Sequence, residues 1–124
     1  MEDPRQQLTS RSDVRAILVD GLSDWVDLGM MRQYVSDEIG EQPPAVLREA
    51  TLDLLRRLLV QNLVIVGDVD ADFVRWTLEP AEALNRISSE WSDPESALRP
   101  GDVCWLANTS TGDALARTFP PRRT

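Results

Sequence analysis

Apolar residues recur at helical spacing through the first half of the chain and at strand spacing after it. Val14, Ile17, Leu18, Leu22 and Trp25 fall three or four positions apart or side by side, which predicts a helix over 13–26. Ser12 is placed to cap its amides, and Gly21 weakens it without ending it. Met31, Tyr34, Val35 and Ile39 predict a second, shorter helix capped by Asp27 and stopped by Gly40. After the turn "GEQPPAV", Leu47, Thr51, Leu54, Leu55, Leu58 and Leu59 form the broad apolar face of a helix over 44–62, with Glu49, Asp53, Arg56 and Arg57 on its back.

The period then shortens. "LVIVGD" and "DFVRWTL" are β-branched and aromatic runs of strand length, "PAEALNRISSEW" returns to helical spacing through Leu84, Ile87 and Trp91, and "VCWLA" is a third strand. In that strand Trp105 shares a face with Val103 and Ala107, while Cys104 and Leu106 take the other and are expected inside. "NTSTGDALARTF" predicts a short last helix, with Ser110, Thr111 and Asp113 as capping groups. Residues 1–11 and 119–124 lack periodicity and are expected to be flexible, leaving 12–118 as one domain, the number that 124 residues ordinarily build.

Composition removes several kinds of chemistry. The chain has no histidine and one cysteine, so there is no Ser-His-Asp or Cys-His arrangement, no intrachain disulfide and no Cys/His zinc site. No catalysis and no cofactor are expected. There is no membrane-length apolar run and no apolar stretch behind a basic start, so a cytoplasmic location is the expectation. The net charge of -8 is uneven: residues 63–102 hold nine of the 21 acids against three arginines. Such a field repels phosphate backbones and favours basic partners, although it also serves solubility.

Part of that charge lies in "GDVDADFVRWTLE", where Asp68, Asp70 and Asp72 alternate and Glu79 falls at the twelfth place of an EF-hand pattern. The sixth place, which needs glycine for a sharp turn, is Phe73, and the flanks have strand rather than helix character. An aspartate-rich hairpin turn explains the same residues, and no metal is expected. Cys104 has no cation beside it in sequence to activate a thiolate and is expected to be a buried, inert thiol.

The order helix, helix, long helix, strand, strand resembles the winged-helix superfamily. "LLRRLLVQNLVIVGD" is similar to the junction where a recognition helix enters the wing, and "VCWLANTSTGDALA" is similar to the second wing strand and following helix of PadR-like and MarR-like regulators. The resemblance covers roughly 12–69 and 102–118. It implies an α+β fold with three N-terminal helices and a small antiparallel sheet, departing from the pattern in an insertion over about 68–102 that adds a strand and a helix.

Two functions follow as expectations. The favoured one is a protein-binding module, of the kind that includes immunity proteins, antitoxins and accessory subunits of regulators. It would offer Asp68, Asp70, Asp72, Glu90, Asp93 and Glu95 to a partner with a basic surface. The alternative is a DNA-binding regulator, possibly a homodimer, in which Arg48, Arg56 and Arg57 of the third helix contact nucleic acid. Against it, Arg48 is the only cation in the half of that helix which would enter a groove, and Asp53 is spaced to pair with both other arginines.

Overall fold

The structure, a computed structural model, describes residues 4–120, which form an α+β fold of six helices and one four-stranded antiparallel sheet. The helices are α1 (Pro4–Thr9), α2 (Ser12–Asp20), α3 (Leu28–Ile39), α4 (Pro44–Val60), α5 (Pro80–Glu90) and α6 (Ser110–Ala116). The strands are β1 (Val26–Asp27), β2 (Val64–Asp70), β3 (Asp72–Arg75) and β4 (Trp105–Asn108), in the order β1-β4-β2-β3.

Helix α4 is the centre of the core. Its Thr51, Leu54, Leu55 and Leu58 are buried, and the three leucines share one cluster with Ile17 and Leu18 of α2, Met31 and Val35 of α3, and Val64 and Val66 of β2. Buried Thr51 is satisfied within the helix, its hydroxyl donating to the Leu47 carbonyl at 2.7 Å. Helix α3 starts where its cap predicts, with the Asp27 carboxylate accepting from Met30 N at 2.7 Å. It stops at Gly40, whose φ of 84° a side chain would strain.

The amino-terminal region departs from expectation. Residues 4–9 form a helix, not a flexible lead: Leu8 is buried in the core, and Arg5 donates to the Gln61 carbonyl beyond the end of α4. One apolar residue in a single turn leaves no period to read, and its burial depends on what α1 meets. Helix α2 ends at Asp20 with Gly21 as its carboxyl cap, so Leu22 is exposed and Trp25 lies outside the helix. The Ser12 hydroxyl does not cap α2 but donates to Glu38 of α3 at 2.6 Å. Asp13, one residue on, has a fully buried carboxylate held by Arg11 at 2.7 and 3.0 Å and by Val14 N at 2.8 Å, which satisfies the charge in place.

Strand β1 is two residues long, too short for any pattern, and pairs Val26 with Leu106 of β4. Strand β2 lies between β4 and β3, and Gly67 leaves no room for a side chain: a Cβ there would sit 2.2 Å from the Val74 carbonyl oxygen. At the far end Asp70 pairs with Asp72 across Ala71, whose φ is 64°. Helix α6 is capped by Thr109, one residue before the expected groups, its hydroxyl accepting from Gly112 N at 2.9 Å. Phe119, expected to be frayed, is half-buried with the Arg15 guanidinium 5.2 Å from its ring centre. Residues 121–124 lie outside the described residues.

Leu54→Ala or Leu58→Ala is expected to cost about 2–5 kcal/mol in urea unfolding, since both side chains are fully buried, whereas Asp53→Ala on the exposed back should change stability by less than about 0.5 kcal/mol. Equal, small losses at all three would mean that the buried face of α4 is wrongly assigned.

Candidate functional site

The segment between β3 and β4 does not extend outward as a separate arm. Helix α5 returns against α4, carrying buried Ala83, Ile87 and, just beyond its end, Trp91 with it. Its carboxyl end is tied down by Arg48, whose Nε donates to the Trp91 carbonyl at 2.7 Å while Nη2 donates to the Ser88 carbonyl and hydroxyl at 3.0 and 2.9 Å. The guanidinium also lies 5.8 Å from the Trp91 ring centre. A helix ends with carbonyls that have no partner inside it and with a negative dipole end, and a planar cation answers both needs. Arg48 keeps only 14% of its side-chain exposure, so the one cation in the leading half of α4 is turned to the end of α5 and to Glu49 beside it.

The other two arginines differ. Arg56 pairs with Asp53 at 3.1 Å on the exposed back of the helix, as its spacing predicts. Arg57 is half-buried and makes no ion pair with a described residue, so Asp53 engages one of them and not both. The three therefore do not form a shared cationic face.

The six acids separate into three groups. Asp68 accepts from the Trp76 indole nitrogen at 3.0 Å, Arg86 lies 3.7 Å from the Trp76 ring centre, and Arg86 Nε donates to Glu90 at 2.7 Å. Asp68 and Glu90 are thus joined through Trp76 and Arg86, neither of which the sequence singled out for this role. The i,i+4 spacing of Arg86 and Glu90 was the available signal. Asp93 accepts from Glu95 N at 3.0 Å in the loop after α5, where both acids are exposed.

Asp70 and Asp72 stand at the hairpin tip, exposed, directly opposite one another, and without an ion-pair partner among the described residues. Like charges placed so repel, and the hairpin holds them there through Phe73, which packs against Trp25 with ring centres 6.2 Å apart. No group of three metal-ligating side chains occurs among the described residues.

Cys104 is fully buried beneath this region. Burial first, and then the charges of Glu90 and Asp68, push its thiol up from 9.0 to about 12, with Arg86 opposing them. No protein-family model, curated protein or solved structure matches the chain.

Two outcomes follow. Arg48→Ala leaves the Ser88 and Trp91 carbonyls without their donor and is expected to cost about 2–3 kcal/mol in urea unfolding, while exposed Arg56→Ala costs under about 0.5 kcal/mol. Equal costs would mean that Arg48 does not hold α5. For Cys104, the unfolded thiol ionises near 9 and the folded one near 12, so between these values the folded state retains the proton and stability falls as pH rises. Relative to Cys104→Ala, the wild type should lose up to about 1.4 kcal/mol per pH unit above 9 and nothing below it. A constant difference from pH 8 to 11 would contradict the burial of the thiol.

Proposed function

We propose that this chain is a winged-helix-like, non-catalytic protein-binding module that presents an acidic surface to a basic protein partner, in the manner of an immunity protein, an antitoxin or an accessory subunit of a regulator. The winged-helix assignment is supported by the sequence of elements α2, β1, α3, α4, β2 and β4 and by the order β1-β4-β2 within the sheet. On this reading α4 corresponds to a recognition helix and β2 and β4 to the two wing strands, with the β2–β3 hairpin opening the inserted segment between them.

One observation carries the functional choice: Arg48, the cation that α4 would bring to a groove, is bonded to backbone carbonyls of α5. With its guanidinium so engaged, Arg48 is not free to reach base edges or phosphates, which weighs against the DNA-binding alternative. The β2–β3 hairpin offers two exposed aspartates, which repel phosphate and attract cations.

Random duplex DNA at low salt distinguishes the two classes. The purified protein should leave its mobility unchanged, whereas a salt-sensitive shift lost on Arg56→Ala with Arg57→Ala would overturn the proposal in favour of a DNA-binding regulator. With a cross-linked basic partner identified, charge reversal at Asp70 and Asp72 should slow association about tenfold or more at low salt and flatten its salt dependence, while changes at Arg56 and Arg57 should do little.

A further inference from the structure

The register of the sheet separates its two faces. Val64, Val66 and Leu106 are buried in the core, so Ile65, Val69, Phe73, Trp105 and Ala107 share the opposite face, around Gly67. The Phe73 ring lies over that glycine, since a Cβ there would be 2.9 Å from the end of the ring, and Trp25, just before β1, joins the layer with its ring centre 6.2 Å from that of Phe73. The outer face of an antiparallel sheet is ordinarily polar. Here Asp27, opposite Trp105, is buried and bonded to the first turn of α3, which leaves Arg75 on the edge strand as the one exposed charge among the paired positions of this face.

Burial divides the tryptophans in the same way. Trp76 and Trp91 are 6% and 2% exposed within the core cluster, whereas Trp25 and Trp105 are half-buried and, like Ile65, Val69, Phe73 and Ala107, are not part of it. Aromatic side chains that the core does not use, gathered on one sheet face, have the composition of an interface centre. Each of the three has an exposed aspartate close by: Asp24 before Trp25, Asp72 before Phe73, and Asp102 next to Gly101, against which the Trp105 indole lies. Each carboxylate accepts from one backbone amide, of Trp25, Phe73 and Arg99 respectively, at 2.7–2.8 Å, and makes no ion pair with a described residue. Charge then selects the occupant. Nucleic acid could stack on the rings but is repelled by these carboxylates, and a second copy would bring the same acids and its own net charge of -8 against them. A basic protein meets neither obstacle.

We propose that this outer face, centred on Trp25, Phe73 and Trp105, is the contact surface for the basic partner, whose arginine or lysine side chains lie along the aromatic rings while Asp24, Asp72 and Asp102 pair with their charge. The inference rests on the basic-partner reading and adds to it where the complex is held together: the acids at the hairpin tip govern encounter, and the aromatic layer governs residence.

The test follows the indole N–H signals of ¹⁵N-labelled full-length protein, with those of Trp25 and Trp105 assigned by their loss in Trp25→Phe and Trp105→Phe, during titration with the blocked pentapeptide Arg-Leu-Arg-Leu-Arg. The expected result is a saturable shift of these two signals, with those of buried Trp76 and Trp91 in place, that the pentapeptide Glu-Leu-Glu-Leu-Glu does not produce. The combined variant Asp24→Asn, Asp72→Asn, Asp102→Asn keeps an oxygen acceptor at each position and removes the charge, so it should raise the dissociation constant roughly tenfold or more. Unmoved Trp25 and Trp105 signals, an equal response to the acidic peptide, or unchanged affinity in the carboxamide variant would each overturn the surface. So would a dimer in sedimentation that Trp105→Leu dissociates, which assigns the face to a second copy, or tighter binding of oligo(dT) than of the basic peptide, which assigns it to single-stranded nucleic acid. If charge reversal at Asp70 and Asp72 slows association of a cross-linked basic partner while Trp105→Leu leaves its dissociation rate unchanged and the two indole signals ignore the basic peptide, the basic-partner proposal stands and this surface falls.

Discussion

The contact on which the segment between β3 and β4 depends is the one between the Arg48 guanidinium and the carboxyl end of α5. It bonds two carbonyls and a hydroxyl of that helix at 2.7–3.0 Å and lies beside the Trp91 ring. An eleven-residue helix is marginal by itself in water, and α5 gains its stability from Ala83, Ile87 and Trp91, which are buried only while it lies on α4. Arg48 supplies the polar half of that docking by satisfying carbonyls that burial would otherwise strand.

From this contact the rest of the acidic region takes its place. With α5 fixed, Arg86 reaches Trp76 and Glu90, Trp76 reaches Asp68, and the end of the β2–β3 hairpin is joined to the helix that follows it. Phe73 against Trp25 holds the other side of the same hairpin. The tip that carries Asp70 and Asp72 is thus braced from two directions, and two like charges are kept opposite one another at a cost that packing offsets. Cys104, near Asp68 and Glu90, is sealed from water, which makes it a structural thiol.

Elements with a long apolar stripe or a local cap were legible in the sequence. The α4 core face, the Asp27 cap, the Gly40 stop, the two strands flanking the aspartates and the buried side of Cys104 all depend on neighbours within one or two turns. Those that failed depend on distant partners. Leu8 is buried because α1 folds back, β1 exists because β4 is there to pair with it, and α2 stops at Gly21 although its apolar spacing continues to Trp25. The site was legible as charge but not as geometry. Arg48 stood out as a cation on α4, but its acceptors are carbonyls 40 and 43 positions away, and a carbonyl belongs to every residue alike. The Arg86–Glu90 pair had a readable spacing, whereas the joining of Asp68 through Trp76 did not.

Helix α5 is a fixed part of the core, held on α4 by Arg48. Native-state hydrogen exchange measures this directly, through the amides of Ala83 and Trp91, which bond to the Glu79 and Ile87 carbonyls at 2.9 and 2.8 Å, compared with amides in the middle of α4. The expected result is that both sets open with the same free energy as global unfolding and that Arg48→Ala lowers the α5 values most. Exchange of the α5 amides several kcal/mol below those of α4 in the wild type would contradict it, because α5 would then be a flap that uncovers α4 while the domain stays folded.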